Sequence, residues 1–160
     1  MLIAIKYIHL ISVSIWIGAI VFFSFIGAPA IFKTLDRQTA GDVVGAIFPK
    51  YFMLGQICSV TALVTLALVG LSTGFQSSVK IGIILLLVMG GIAAYSGMVN
   101  GPQARAVKED IRAETDATKK AELKKKFGKL HGISMVLNIA TLLLALSLLF
   151  FTVKYIALPL

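Results

Sequence analysis

Four long apolar segments without aspartate or glutamate constrain the fold of this chain most strongly. They lie at about residues 2–28, 49–73, 80–100 and 130–155. A helix needs about 20 apolar residues to cross the hydrocarbon core of a bilayer, and each segment is long enough. The hydrophobic fraction of 58% and the charged fraction of 14% also lie outside the range of soluble domains. The sequence therefore predicts an all-α integral membrane protein, one domain over residues 1–160 built as an up-and-down bundle of four transmembrane helices.

The polar connections between the segments are expected to be helical as well. Residues 38–48 are amphipathic and predict a short interfacial helix between Pro29, which is expected to end the first span, and Pro49, which is expected to begin the second. Residues 102–129 are rich in alanine, lysine and glutamate, which favours helix over coil. This segment predicts two cytoplasmic helical extensions that meet in an elbow near Thr115–Asp116–Ala117.

The basic residues are concentrated on one side of the predicted bundle. The loops 29–49 and 101–129, with Lys50 at the edge of the first, hold 12 of the 15 lysines and arginines. The positive-inside rule places both loops in the cytoplasm and both termini outside, with the protein in the plasma (inner) membrane. Because the surplus charge of +8 lies beside apolar spans, it is assigned to topology and lipid contact, and nucleic acid is not expected as a partner.

A polar face on the first span is the principal candidate site. On a helical wheel His9, Ser12, Trp16 and Phe23 share one side of this span. Polar groups are costly in hydrocarbon unless they are partnered, so this face is expected to point into the bundle. Imidazole is a metal ligand and a proton acceptor near neutral pH, which makes His9 a candidate ligand.

Further polar residues lie at helical spacing on the second and fourth spans. The fourth span carries a polar stripe, which is also expected to face the interior, and Tyr155 is interpreted as marking its far membrane interface. Serine, threonine and asparagine in such positions often serve only as hydrogen bonds between helices. These candidates are His131, Ser134, Asn138 and Thr141 on the fourth span, and Gln56, Thr61 and Thr65 on the second.

The two histidines are predicted to lie at different depths. At 1.5 Å per residue His9 lies roughly 10 Å inside the outer edge of the first span, whereas His131 is near the cytoplasmic start of the fourth. The separation along the membrane normal is on the order of 20 Å for a core of about 30 Å. One metal or haem iron therefore cannot be bound by both histidines of a single chain.

Several catalytic classes lack their residues in this sequence. No carboxylate lies within a span, which argues against a carboxylate proton relay, and Cys58 is the only cysteine. Neither a GxSxG element nor a glycine-rich phosphate loop is present. Hydrolytic chemistry is therefore not expected, and the residues favour a non-enzymatic protein.

Eight short motifs resemble one family of small membrane proteins. The motifs are His9-Leu10, Trp16-Ile17-Gly18, Phe22-Phe23-Ser24-Phe25, Ala28-Pro29-Ala30-Ile31-Phe32, Gln38-Thr39-Ala40-Gly41, Ile47-Phe48-Pro49-Lys50-Tyr51-Phe52, Asn100-Gly101-Pro102 and His131-Gly132-Ile133-Ser134-Met135-Val136-Leu137-Asn138. Together they are similar to the transmembrane protein 205-like family, four-span proteins of unknown function, over almost the whole chain. The resemblance implies the four-span bundle and no particular activity.

The first span alone is also similar to two families that bind metals. His9, Trp16 and Gly18 resemble the opening of the HemJ-type protoporphyrinogen oxidases, which bind haem b in a four-helix bundle, and of the CopD-type copper proteins. This resemblance implies haem b or another metal, with His9 as ligand and Ser12, Trp16 and Phe23 lining the pocket.

Two hypotheses therefore stand side by side. In the first, the chain is a transport component, assembly factor or accessory subunit in which His9 and Gln56 pair across helices. In the second, it is a redox-type haem or metal protein with His9 as ligand. The small residues of 90–97 also permit close helix packing, either within the chain or in a homodimer or larger membrane complex.

Overall fold

The computed structural model describes residues 1–156, and residues 157–160 of the predicted single domain lie outside the described residues. The described chain is helical, with no β-strand between Met1 and Ile156. The α-helices are α1 (Leu2–Phe22), α2 (Ala28–Thr34), α3 (Arg37–Thr73), α4 (Ser77–Tyr95), α5 (Gly101–Ala113) and α6 (Ala117–Ile156). α1 continues into α2 and α4 into α5, so residues 1–156 form four helices long and apolar enough to cross a membrane. The prediction of an all-α four-helix membrane bundle is confirmed.

Buried residues recur with alternating spacings of three and four along the helices. α1 packs on α3 and α6, and α4 packs on the same two helices, which closes a four-membered ring. Spacing of this kind indicates the left-handed, knobs-into-holes packing of four-helix bundles. The repeat is formed by Lys6, His9, Val13, Trp16 and Ile20 in α1, by Val79, Gly82, Leu86, Met89 and Ala93 in α4, and by Thr141, Ala145, Leu148, Thr152 and Tyr155 in α6.

The outside of the bundle is apolar. Large hydrophobic side chains such as Phe22, Leu71 and Val153 are at least 60% exposed. A soluble protein rarely presents a continuous surface of this kind, whereas lipid tails solvate it. The chain is therefore an integral membrane protein.

The first helix continues through Pro29, contrary to the prediction that this proline ends it. A π-helical turn at Phe23–Gly27 joins α1 to α2, and Pro29 lies in the first turn of α2. Proline has no amide to donate to the preceding turn of this continuous helix, and the π turn lies where that hydrogen bond is missing. A second π turn, Ser96–Asn100, joins α4 to α5 in the same way, with Pro102 following it.

The segment 38–48 is not a separate interfacial helix, because α3 runs unbroken through Pro49. An aromatic cluster packs across the proline: the rings of Phe48 and Phe52 are stacked with centroids 5.5 Å apart, and Phe23 of the first π turn lies 5.3 Å from Tyr51. Burial of these rings offsets the backbone hydrogen bond that the proline removes.

The first turns of α3 are also held by α5. Asp42 accepts hydrogen bonds from Lys108, at 2.6 Å, and from Arg112. Both contacts tie the amphipathic part of α3 to a neighbouring helix. This part of the chain therefore continues the bundle beyond the apolar spans.

Short connections join the long helices. Gly74, with φ of 86°, makes the turn between α3 and α4, and this backbone conformation favours glycine. The elbow between α5 and α6 lies at residues 114–116, beside the expected Thr115–Asp116–Ala117. α5 packs against α6, so the two extensions form an antiparallel pair at the end of the bundle.

Asp36 provides a prediction about the start of α3. Its carboxylate accepts hydrogen bonds from the backbone amides of Gln38 and Thr39, at 3.0 and 3.1 Å, which is the geometry of a helix N-cap. Hydrogen bonds from Thr39, first from its side chain and then from its amide, hold the pKa of Asp36 below its usual range. A lowered pKa means that the cap stabilises the helix above the carboxyl pKa of the unfolded chain and that this stabilisation is lost as the pH falls through the folded value.

We expect acid to lower the protection of the Gln38 and Thr39 amides against hydrogen exchange, taken relative to the intrinsic exchange rate at each pH, and Asp36→Ala to lower this protection at neutral pH as well. Asp36→Asn, which keeps an acceptor oxygen but does not titrate, serves as the control. It should retain protection at neutral pH and lose the change with acid. Equal protection in Asp36→Ala and the parent protein at neutral pH would contradict the cap.

Candidate functional site

His9 lies at the centre of a buried hydrogen-bond network near the end of the bundle that contains Met1. Its Nδ1 lies 3.0 Å from the carbonyl oxygen of Ala62 and 3.1 Å from the hydroxyl of Thr65. Its Nε2 lies 2.7 Å from the hydroxyl of Tyr155, which in turn lies 2.6 Å from that of Thr152. The network therefore connects α1 with α3 and α6.

The partners determine which ring nitrogen carries the proton. A carbonyl oxygen can only accept, so Nδ1 carries the hydrogen and donates it towards Ala62. The Thr65 hydroxyl donates to the carbonyl of Thr61, at 2.7 Å, and presents its oxygen to the same Nδ1–H. In a neutral ring Nε2 then accepts from Tyr155. Both nitrogens of His9 are therefore engaged in the helix contacts.

The surroundings of His9 do not fit a haem or a metal ion. The His9 ring is 1% exposed, and Ala62 and Tyr155, which contact it, are each at most 1% exposed, so there is no room for a macrocycle beside the ring. To bind iron, Nε2 would have to give up its hydrogen bond to Tyr155. Within residues 1–156, no three His, Cys, Asp or Glu side chains come together as a metal site.

A second polar cluster lies in the other half of the bundle. Asn138 accepts a hydrogen bond from the Tyr51 hydroxyl at 2.5 Å and donates one to the Ser24 hydroxyl at 2.7 Å. Asn100 donates to the hydroxyl of Ser134 at 2.6 Å. Ser24 and Asn100 belong to the two π turns, which therefore bring polar side chains from both neighbouring helices onto the stripe of α6.

A cavity of about 20 Å³ lies between the two polar regions. Its walls include Trp16, Gly55, Ser96, Asn138 and Thr141. A cavity of this size holds about one water molecule, and the polar side chains of its wall can bind one. Organic substrates and cofactors need some 300 Å³ or more, so this cavity is too small for them.

The predicted face of α1 is placed largely as expected. His9, Ser12 and Trp16 are buried, and Phe23 joins the aromatic cluster around Tyr51. Ser12 donates to the carbonyl of Ile8 in its own helix, so it adds no contact between helices. Trp16 packs closely on Gly55 of α3, where a methyl group would lie 3.0 Å from the indole nitrogen.

The proposed pairing of His9 with Gln56 is replaced by the pairing with Thr65 and Tyr155. Gln56 lies more than one helical turn away from Ala62, and its amide faces Gly97 of the second π turn. The side chain of Thr65 joins α3 to α1 by its contact with His9, whereas Thr61 contributes only its backbone carbonyl, which accepts from the Thr65 hydroxyl.

His131 does not share the buried position expected for the stripe of α6. Ser134, Asn138 and Thr141 are at least partly buried, but His131 is exposed, and its ring stacks on Phe127 with centroids 6.2 Å apart. It lies 24 residues before Tyr155, which is roughly 36 Å along a helix at 1.5 Å per residue. The two histidines are thus at opposite ends of the bundle.

Sequence reasoning listed Thr65 among the polar residues between helices but missed Tyr155 as a partner of His9. Tyr155 was expected to mark the membrane interface, but it is 1% exposed and bonded to His9. The alternating spacing of the α6 stripe could have located it. Continued past Thr141, that spacing passes through Ala145 and Leu148 to Thr152 and Tyr155.

Comparisons with known proteins agree with a membrane family of unknown activity. Residues 11–113 match the model of a domain of unknown function, DUF4149. An uncharacterized protein of Aquifex aeolicus (strain VF5) is 37% identical over 134 residues, which cover 83% of this chain and 85% of that protein. No solved structure matches the chain significantly. The chain belongs to the DUF4149 family of domains of unknown function.

Proposed function

We propose that this protein is a non-enzymatic membrane bundle that acts as an accessory, assembly or transport-associated subunit of a larger complex. The proposal rests on one observation: polar side chains inside the bundle are hydrogen-bonded to neighbouring helices. Both nitrogens of His9 are bonded to α3 and α6, and Asn138 joins α6 to α3 and to the first π turn. Groups with this many internal partners are not free to act on a substrate.

The distribution of charge supports a defined orientation for such a subunit. The end of the bundle that holds α5 and the start of α6 carries most of the lysines and arginines. By the positive-inside rule we assign this basic end to the cytoplasm and both termini to the outside of the plasma (inner) membrane. The similarity to the transmembrane protein 205-like family, and an arrangement as a homodimer or larger assembly, belong to the same proposal.

The alternative is a redox-type protein that binds haem b or another metal through His9. The resemblance of His9, Trp16 and Gly18 in the first span to the opening of the HemJ-type and CopD-type proteins favours it. It requires the Tyr155 hydroxyl to leave Nε2 and the packed seam around His9 to open.

Absorbance and metal analysis distinguish the two. We expect the protein, purified in mild detergent from cells supplied with haem precursor and copper, to lack a Soret band and stoichiometric iron or copper. A Soret band or bound metal that is lost in His9→Ala and retained in His131→Ala would overturn the proposal and establish the alternative. The His131 variant is a matched control, because it removes the same ring from an exposed position.

A further inference from the structure

A groove at the basic end of the bundle is large enough for an organic ligand. It has a volume of about 400 Å³ and lies between the end of α2, the first half of α3, α5 and the start of α6. Binding sites for small molecules usually have 300–1,000 Å³, so this groove, unlike the central cavity, is of ligand size. We call it the basic groove.

The basic groove combines an apolar wall with cationic side chains. Its apolar wall includes Phe32, Phe48, Phe52, Ile111 and Phe127. Its cationic and titratable side chains are Arg37 from α3, Arg105 and Lys108 from α5, and His131 from α6. No aspartate or glutamate is among the described residues that line it.

Two of these cations are not neutralised by ion pairs. Lys108 shares Asp42 with Arg112, and Arg112 also contacts Glu109. These ion pairs, the ones present within residues 1–156, include neither Arg37 nor Arg105. The groove therefore presents positive charge next to an aromatic surface, which is complementary to an amphiphile with an anionic head.

The position of the groove indicates the source of that amphiphile. Phe52 and Ser134 line both the basic groove and the central cavity, so the inner end of the groove reaches into the apolar spans. Arg37 and Lys108 lie where α3 and α5 extend beyond those spans. Basic pockets between transmembrane helices at this depth suit phospholipid head groups, and acyl chains are present at the same level.

We propose that the basic groove binds one acidic phospholipid. The phosphate lies among Arg37, Arg105 and Lys108, and an acyl chain lies along the aromatic wall formed by Phe48, Phe52 and Phe127. A soluble phosphate ion would use only the cationic part of the groove. This proposal goes beyond the proposed function and does not depend on the role of His9.

Two glycines of α3 make the groove wide enough, and they supply a variant that blocks it. A methyl group on Gly41 would lie 3.3 Å from Nζ of Lys108, and one on Gly45 would lie 4.0 Å from the same atom. A side chain at Gly45 therefore projects into the groove, and its first carbon contacts no atom of the bundle core. Gly45→Leu fills the groove, changes no charge and raises helix propensity, so the fold is expected to persist.

Lipid retention measured by native mass spectrometry tests the proposal. The protein in neutral detergent is titrated with phosphatidylglycerol or with phosphatidylcholine of the same acyl chains. We expect one phosphatidylglycerol per chain, bound at least about tenfold more tightly than phosphatidylcholine. Gly45→Leu and the double variant Arg37→Ala/Arg105→Ala should each lower this affinity by about tenfold or more, with circular dichroism and a melting curve showing that they fold.

The control is Lys124→Ala/Lys125→Ala, which removes the same charge from exposed positions outside the groove. It should bind as the parent protein does. If this control lost as much affinity for phosphatidylglycerol as the groove variants, the lipid would be held by the general positive charge of the protein, and the proposed site would be overturned. Equal binding of phosphatidylcholine, or full binding by Gly45→Leu, would also overturn it.

Further arms of the same titration use inorganic phosphate and oleate as competitors of phosphatidylglycerol. Neither should displace the lipid at equal concentration. If phosphate displaced phosphatidylglycerol, the ligand of the groove would be a soluble anion and not a lipid. Displacement by oleate would show that the phosphate group is not recognised, and either result would contradict the proposal.

Discussion

Replacing His9 with alanine is expected to lower the thermal midpoint of the detergent-solubilised protein by roughly 6–12 °C, equivalent to about 3 kcal/mol for a chain of this size. The ring is 1% exposed, so the substitution leaves a cavity in the seam of the bundle. It also removes the hydrogen bonds that the ring makes to the Tyr155 hydroxyl and the Ala62 carbonyl, which then keep only Thr152 and Thr65 as side-chain partners.

His131→Ala is the matched control for this prediction, because the same ring is removed from an exposed position. A midpoint within about 2 °C of the parent protein is expected. Tyr155→Phe removes one hydroxyl of the same network and should fall between the two variants, since a hydrogen bond between membrane helices contributes on the order of 1 kcal/mol. Equal midpoints for the two histidine variants would mean that the network does not stabilise the bundle.

Replacing Gly82 with leucine is expected to destabilise the bundle by about 3 kcal/mol or to prevent its folding. A methyl group at Gly82 would lie 2.8 Å from a methyl of Leu66 and 3.2 Å from the ring of Tyr155, before the rest of a leucine is added. Both neighbours are themselves at most 1% exposed and have no free space to move into. α4 would have to shift away from α3 and α6.

Gly91→Leu adds the same side chain to the same helix where nothing lies within 4 Å of the new carbon. It should fold as the parent protein does, because the leucine projects from an exposed position and improves helix propensity. Thermal melting of both variants in one detergent, with the fraction of monodisperse protein after gel filtration, provides the measurement. Equal stability of the two would contradict the packing around Gly82.

The number and type of the helices could be predicted from the sequence because hydropathy alone determines them. Each span must satisfy its own backbone hydrogen bonds in lipid, so a long apolar segment has essentially one structure available. The burial of His9, Ser12 and Trp16 could also be predicted, because polar groups are costly in hydrocarbon and therefore face the interior of the bundle. These inferences need no knowledge of the neighbouring helices.

The course of the helices at Pro29 and Pro49 could not be predicted in the same way. Local propensity ends a helix at proline, but here a π turn before Pro29 and an aromatic cluster from two distant segments around Pro49 offset the missing hydrogen bonds. The partner of His9 was also hidden, since Gln56 and Tyr155 are both polar residues at plausible depths. The spacing of the α6 stripe places Tyr155 on the buried face, but the relative rotation of α3 and α6, which is set by packing along the whole seam, decides that Tyr155 and not Gln56 meets His9.

The two π turns are places inside the spans where a residue can be lost without changing the register of the helix. A π turn holds one residue more than an α turn, so losing one residue from Phe23–Gly27 or Ser96–Asn100 would restore an ordinary α-helix and leave the faces on either side nearly aligned. The cost of such a deletion would fall on the polar contacts that Ser24 and Asn100 make with α6 from within these turns. Relatives are therefore expected to gain and lose residues at the short loops, and one that lacks a residue in a π turn is expected to lack the matching polar contact with α6 as well.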